Sequence, residues 1–320
     1  MSFVGNFGGF TAYAHSNLGI ITVNPIDPFI IDSMNMGIEP GMEATPDEFM
    51  VVCMSRQVRD GEVVAQGLAT PLVAAAYLLA RYTHAPNLYF ASAIGQGICR
   101  EPAPLSLTRI ESLWLDRALN NTGFVQAAAD VLPTLRPKEF FRPAQIDRHG
   151  NFNNIAFGKN YIESVPRRPR LRLPGSGGIP DVTTFIDDIH LYVPRHSRLT
   201  FVKELDVRSG LGYDARRKHG SGPRYLVTDL GQFDFKNGTL RLVSYHPYSS
   251  PEQIQLHTGF ELEISANIHQ TPPPSADELQ LLRQEIDPLG IRRLESLSGA
   301  ARRELLHEII AIETAQGSGG

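Results

Sequence analysis

The residues of this chain that could do chemistry fall into three groups. The first is Pro174-Gly-Ser-Gly-Gly178, which follows the basic run Pro166-Arg-Arg-Pro-Arg-Leu-Arg172. Backbone N–H groups of a glycine loop can approach a phosphate or a polarised carbonyl closely, and a serine adds a hydroxyl donor. Gly175, Ser176, Gly177 and Gly178 are therefore candidate oxyanion or ligand contacts, although a glycine loop alone is a weak signal. The second group is the amide cluster Gln145, Asn151, Asn153 and Asn154. Amides donate to a carbonyl and accept from an N–H, which makes Gln145, Asn153 and Asn154 candidate substrate contacts. The third is the end of the apolar stretch Leu88-Tyr-Phe-Ala-Ser-Ala-Ile-Gly95. Strand C-termini in an α/β sheet are where ligands bind, yet Ala91, Ser92 and Ala93 bring no carboxylate, imidazole or thiol there. Ser92 reads as a nucleophile or as a small pocket-wall residue, and no Gly-x-Ser-x-Gly elbow surrounds it. Cys99 lines a pocket or is an inert buried thiol. His149 sits in a turn, as an exposed residue or a ligand contact, and His246 before Pro247 reads as structural. Asp206 and Asp214 are bases or turn formers.

Elements that could position these groups follow from pattern. Thr45-Pro46-Asp47-Glu48 has an N-cap, a first-position proline and first-turn acids, so a helix runs from there to about Asp60-Gly61. Glu62-Val-Val-Ala-Gln66 is a short strand. Gly67-Leu-Ala-Thr-Pro71 then turns into a helix reaching Tyr82, and the Leu88 strand closes a βαβ unit. The Gly67 loop is either a plain strand-to-helix turn or a donor of backbone N–H groups to a phosphate or carbonyl. Leu105–Leu119 and Phe124–Val131 read as helices. Ile186–Val193, Arg198–Lys203 and Arg224–Asp229 read as strands, and Asn237-Gly238 joins a hairpin. Helices follow Ser250 and Ser275, and an amphipathic helix spans Arg302–Ala315. The expected fold is α/β: an open, mainly parallel sheet flanked by helices. Residues 1–45 read as an ordered N-terminal arm that packs on this subunit or on a partner, or as a plain extension outside the functional core; 46–290 form the α/β domain, and 291–320 a C-terminal helix with a flexible end.

Composition excludes several function classes. The chain has 320 residues, is 42% hydrophobic and carries a formal net charge of -4. That is an ordinary globular balance, with no global attraction for nucleic acid or anionic membrane. Two cysteines, Cys53 and Cys99, make neither a disulfide framework nor a zinc pattern and suit the cytoplasm. No secretory signal and no membrane-length apolar run is present.

Several runs, in order, resemble one family. They are Ala144-Gln-Ile-Asp-Arg-His-Gly-Asn151, Pro174-Gly-Ser-Gly-Gly178, Val227-Thr-Asp-Leu-Gly231, His246-Pro-Tyr-Ser-Ser-Pro-Glu252, Thr258-Gly-Phe260 and Arg283-Gln-Glu-Ile-Asp-Pro288. Together they look like the B (beta) subunit of family I coenzyme A transferases, of the glutaconate type, over residues 46 to about 290. The resemblance implies the NagB/RpiA/CoA-transferase-like fold, an A (alpha) subunit that completes the site, and an α2β2 heterotetramer. It implies an acyl-CoA substrate, with no permanently bound cofactor and no metal. On it, the candidate residues above become contacts to the acyl group or to CoA.

True transferases of the family carry a nucleophilic glutamate at the end of the Leu88 strand, and by position it falls on Ala93. A methyl group cannot form an acyl anhydride. Two branches also lack that glutamate: one resembles ring-opening hydrolases of steroid catabolism, the other the decarboxylase of 3-methylglutaconyl-CoA. Val207-Arg-Ser-Gly-Leu-Gly-Tyr-Asp214 looks closer to the hydrolases. Gly67-Leu-Ala-Thr-Pro71 and Thr83-His-Ala-Pro86 look closer to the decarboxylase. The expected activity is hydrolytic C–C cleavage or decarboxylation of an acyl-CoA. Alternatives are a true transferase whose partner supplies the glutamate, and a non-catalytic scaffold.

Overall fold

The computed structural model describes residues 44–67, 70–93, 97–158, 169–217 and 219–317. The expected N-terminal arm up to residue 43, the start of the basic run, Ile94-Gly95 and the last three residues lie outside the described residues.

Ten strands form the main sheet. In chain order these are β1 (Val63–Gln66), β2 (Tyr89–Ser92), β3 (Gly97–Cys99), β4 (Ala118–Asn121), β5 (Lys138–Phe141), β10 (Ile189–Val193), β11 (Tyr225–Thr228), β12 (Gly231–Lys236), β13 (Thr239–Tyr245) and β14 (Glu263–Gln270). Four two-residue strands pair apart from it: β6 (Gln145–Ile146) with β7 (Phe152–Asn153), and β8 (Ala156–Phe157) with β9 (Leu171–Arg172). The order across the main sheet is β14-β13-β12-β11-β10-β5-β1-β2-β3-β4. The central run β2-β1-β5-β10-β11 is parallel throughout.

The two faces of the sheet carry separate cores. Val64, Phe90, Phe140, Tyr192 and Val227 pack with the helices Pro46–Ser55 and Pro71–Tyr82. Phe141, Ile189, Leu191 and Leu226 pack on the other side with Val182 and Ile186 from the helix Ile179–Phe185 and the residue after it. Successive strand residues point to opposite faces, so the hydrophobic sets at alternate positions account for both layers. The crossover helix Pro71–Tyr82 carries the chain from β1 outward to β2. The crossover helix Ile179–Phe185 carries it from β5 outward to β10, on the opposite face. Right-handed crossovers leaving in opposite directions require opposite faces, and they place a switch point between β1 and β5.

The helix Pro46–Ser55 begins as the sequence predicts, with a capping box between Thr45 and Glu48. Its acidic first turn holds the C-terminal segment. Arg292 Nη2 donates to Glu48 Oε1 at 2.9 Å, and Nη1 donates to Asp287 Oδ2 at 2.9 Å. Arg292 Nε lies 2.8 Å from Asp47 Oδ2 as an ion pair without hydrogen-bond geometry. Arg283 adds two further bonds to Glu48. Burial opposes ionisation of Glu48, but the bonds from Arg283 and Thr45 and the charge of Arg292 hold its carboxyl below the usual range.

Three local expectations need correction. Only Ile110–Leu115 of the expected Leu105–Leu119 helix is helical. Glu313 from the last helix captures the N–H groups of Leu107 and Thr108, and residues past Leu115 pair as edge strand β4. Arg198–Lys203 is not a strand: Thr200 N–H bonds Ser197 O in a turn, and only Phe201 bridges to Ile146. Strand β14 was unforeseen, because its exposed face lacks a clean apolar alternation. Among the described residues no helix is long and apolar enough to cross a membrane.

Candidate active site at the carboxyl edge of the sheet

Ligands bind in doubly wound sheets outside the carboxyl ends of the strands, at the switch point. Here that point is marked by a parting of strands. β1 and β5 pair only at Val64–Lys138 and Ala65–Glu139. Beyond that level β5 continues beside β10, and β1 continues beside β2, with Ala93 N–H bonding Gln66 O at 3.0 Å. A crevice therefore opens above Glu139. Tyr77 holds its root, donating to both Ala65 O (3.1 Å) and Lys138 O (3.3 Å) from the helix below.

Glu139, Ala65 and Ala91 stand at one register level and so point to one face. Gly67 and Ala93 continue that face upward along β1 and β2. Four small residues thus line the floor beside one carboxylate. Glu139 Oε1 lies 3.9 Å from the place a Cβ on Gly67 would occupy, so the carboxylate aims at the carboxyl edge. Glu139 is half-buried. Among the described residues its carboxylate has no hydrogen-bond or ion-pair partner. Burial alone pushes its carboxyl up to about 8, so it holds its proton at neutral pH.

The same edge carries charge on the neighbouring strands. Arg142, just past β5, donates to Glu295 Oε2 at 3.0 Å. Glu295 is buried and also accepts from Leu72 N–H and Tyr192 O–H, both at 2.9 Å. Arg195 follows β10. Desolvation first, then the charges of Arg142 and Arg302, hold its guanidinium below the usual range, against Asp229. Asp229 follows β11 and accepts His196 N–H at 2.7 Å, while burial pushes its carboxyl up to about 7.

Ala93 is exposed at the end of β2, and Ser92 is 5% exposed. Ser92 stands level with Gln66 and points to the opposite face from Ala93. Cys99 is buried, its thiol donates to Trp114 O at 3.7 Å, and burial raises its pKa. Cys53 is pushed up to about 12 by burial. Neither thiol is prepared as a nucleophile.

The glycine loop forms the mouth of the helix Ile179–Phe185, with Gly178 as N-cap. A crossover helix runs antiparallel to its strands, so this loop returns to the carboxyl edge. Gly175 and Gly177 have φ of 119° and 52°, a region open to glycine at low cost. Nothing lies within 4 Å of a Cβ built on either residue, so the loop faces open space.

The amide cluster is turned inward. Asn153 Nδ2 donates to Gln145 Oε1 and to Ala156 O, both at 2.8 Å. Gln145 Nε2 donates to Asp206 Oδ2 at 3.2 Å, and Asp206 also accepts from Gly158 N–H. Asn154 Oδ1 accepts from Ala144 N–H at 2.8 Å. These groups brace the β6–β7 turn, and Asp206 belongs to that brace. Asp214 is held low by bonds from Arg216 and the charges of Arg216 and Arg208. His149 Nδ1 meets Gly238 O at 2.9 Å in the turn. His246 is fully buried, with Nε2–H donating to Thr228 O.

Two cavities of about 380 and 580 Å³ lie elsewhere, one beside Ser106 and Asp287, the other beside Arg198 and Phe260. Neither includes a strand-end residue of the crevice. Among the described residues no group of three or more His, Cys, Asp or Glu could hold a metal ion. Glu139, Arg142 and Arg195 were not singled out from sequence. Glu139 lies on β5, Arg142 just past it and Arg195 just past the neighbouring β10, a relation set by the strand order, and no motif carries that order.

No protein-family model matches the chain. It is 27% identical over 270 residues to the B subunit of glutaconate CoA-transferase from Acidaminococcus fermentans, covering 76% of this chain and 93% of that protein. It is 30% identical over 243 residues to the cholesterol ring-cleaving hydrolase IpdB subunit of Rhodococcus jostii, covering 73% and 89%. Among solved structures, the decarboxylase AibA/AibB superposes with a TM-score of 0.68 at 31% identity, covering 78% of this chain and 98% of that one.

Proposed function

The chain belongs to the coenzyme A-transferase family, among its B subunits, and on that premise we propose that it forms, with an A subunit, an enzyme that breaks a C–C bond in an acyl-CoA. The observation that carries this reading is the exposed methyl of Ala93, at the strand end where the resemblance puts the family's nucleophile. No side chain there can attack a thioester. Ser92 points to the opposite face, and the thiols are buried. The relatives include a ring-cleaving hydrolase and a decarboxylase as well as a CoA-transferase B subunit, so chemistry of this kind occurs among them and the choice rests on Ala93.

Both reactions place negative charge on the thioester oxygen as an enolate. A loop of open backbone N–H groups at Gly175–Gly178, at the carboxyl edge, suits that charge. Arg195 suits an anionic part of the substrate. The open crevice suits closure by a partner. An α2β2 heterotetramer in the cytoplasm, with CoA entering only as part of the substrate and no resident cofactor, completes the proposal. Residues 1–45 serve as an arm outside the α/β domain of 46–290, and 291–320 as its C-terminal helix. Gln145, Asn153 and Asn154 act by shaping the wall behind the loop.

The test uses the complex purified with its A subunit. It is incubated with a panel of acyl-CoAs, and intact-mass spectrometry looks for a covalent CoA adduct while the small products are followed. The expected result is no adduct, with a ring-opened or decarboxylated acyl-CoA. A CoA adduct on either chain would establish transferase chemistry and overturn the reading.

A further inference from the structure

We propose that Glu139 is the proton donor of this chain: its carboxyl group delivers a proton to the carbon freed when the C–C bond of the acyl group breaks. This rests on the reading that the site cleaves such a bond, and it assigns a residue to the step.

Position is the first argument. Glu139 stands at the parting of β1 and β5, on the face shared by Ala65, Gly67, Ala91 and Ala93. It is two strands from the Ala93 strand, about 10 Å at the usual spacing of parallel strands. That is too far to replace a nucleophile at Ala93 on the same thioester carbon. With Ala93 also two residues beyond the level of Glu139, the separation suits an acyl carbon two or three bonds from the thioester, reached by the extended glutamate side chain.

Environment is the second. Among the described residues other buried or half-buried carboxylates are engaged, for example Glu48 and Asp287 by Arg292, Glu295 by Arg142 and Tyr192, Glu313 by Thr108, and Asp229 by His196 N–H. Among the described residues Glu139 alone of this set has its carboxylate unpartnered, and it faces small residues rather than a donor. Such a carboxyl stays protonated and can donate. Its approach to Gly67 aims the proton from the root of the crevice toward its opening.

The step balances in both reactions. In decarboxylation the bond to the carboxylate breaks, CO2 leaves, and the electron pair passes to the thioester oxygen. In ring opening, water adds to the ring ketone to give a gem-diol, one hydroxyl proton leaves to solvent as the C–C bond breaks and a carboxyl group forms, and the pair passes to the same oxygen. The enolate carbon then takes the Glu139 proton, the thioester C=O re-forms, and the carboxylate regains a proton from solvent.

The complex with its A subunit is assayed with 3-methylglutaconyl-CoA and with 2-oxocyclohexanecarboxyl-CoA. In wild type, kcat/KM should fall at alkaline pH as the donor loses its proton. Glu139→Gln should lose about 10²- to 10⁴-fold in kcat, the usual weight of a general acid, remove that alkaline limb, and still bind acyl-CoA. Glu139→Asp should retain slower turnover with the limb moved. If wild type cleaves either probe while Glu139→Gln turns over within twofold of it, Glu139 is not the donor, and the proposed function stands. If Glu139→Gln fails to assemble, an Asp variant with an unmoved limb overturns the proposal equally. A wild-type complex that forms a CoA adduct, or cleaves neither probe, overturns both.

Discussion

Glu139→Gln should change how stability depends on pH, and this can be worked from the structure without any substrate. The Glu139 carboxyl sits at about 8 in the folded chain against an ordinary value of 4.5. Between those values the folded state binds a proton that the unfolded state has released. For a raised carboxyl, stability is therefore lost as pH rises through the window. The slope is about 1.4 kcal/mol per pH unit, or roughly 4 kcal/mol from pH 5 to pH 8. Glu139 is half-buried at an open crevice, so solvent reduces this, and about 2–3 kcal/mol is expected. The Gln amide adds its own penalty for an unmet hydrogen bond, about 1–3 kcal/mol. That penalty is independent of pH, so the slope carries the test and the offset does not. Urea unfolding of both proteins at a series of pH values measures it. The variant should gain on wild type steadily from pH 5 to pH 8. Parallel curves would refute the claim that Glu139 is held protonated by its site. A variant losing ground as pH rises would mean an unrecognised cation binds the carboxylate.

Other consequences follow from the same geometry. Ala93→Glu restores a carboxylate at an exposed strand end, and intact-mass spectrometry of the complex with acyl-CoA should then detect a CoA adduct that wild type lacks. Arg292→Met leaves Asp47, Glu48 and Asp287 facing one another; removing one side of a buried ion pair costs about 3–5 kcal/mol, to be read from chemical denaturation. His196 is buried between Thr228 and Thr258, and burial lowers its pKa to about 3. Its folded value lies below the unfolded 6.5, so its contribution is lost as pH falls below 6.5. Relative to His196→Gln, wild type should lose about 2 kcal/mol between pH 6.5 and pH 5.

Most of the fold was legible because its signals are local. Thr45-Pro-Asp-Glu48 and Ser275-Ala-Asp-Glu278 announce helix starts by chemistry confined to one turn, and both form capping boxes. Asn237-Gly238 announces its hairpin because both residues take positive φ. The β1–helix–β2 unit is likewise contiguous. Edge strands β4 and β14 were illegible because exposed edges need no apolar face. The candidate site was half legible. The family resemblance made the strand end at Ala93 and the loop at Gly175–Gly178 candidate contacts of one substrate, and both follow elements that lead to the carboxyl edge of the sheet. Glu139 gives no signal in sequence: Lys138-Glu-Phe-Phe141, four residues beside a proline-rich stretch, carries too short a pattern to read as a strand, although it forms the central strand β5. Its meaning comes from lying between β1 and β10, a neighbour relation spanning more than 70 residues on one side.

The two carboxylate positions ask for opposite surroundings, and this is why the loss of one and the keeping of the other make chemical sense together. A nucleophilic carboxylate must be ionised at working pH, so it needs water, donors or a cation around it. A proton donor must stay neutral at the same pH, so it needs a dry, unpartnered place. The end of β2 is exposed, and a glutamate there would ionise. The root of the β1–β5 crevice is walled by Ala65, Gly67 and Ala91, which offer a carboxylate nothing to bind. Exchanging these surroundings would disable both roles. An aspartate or glutamate at Ala93 would also bring a like charge two strands from Glu139, raising the latter further and separating the two carboxyl groups still more in protonation. On the proposed reading, a methyl at Ala93 and a protonated carboxyl at Glu139 suit the quenching of an enolate better than the carrying of CoA on the chain itself.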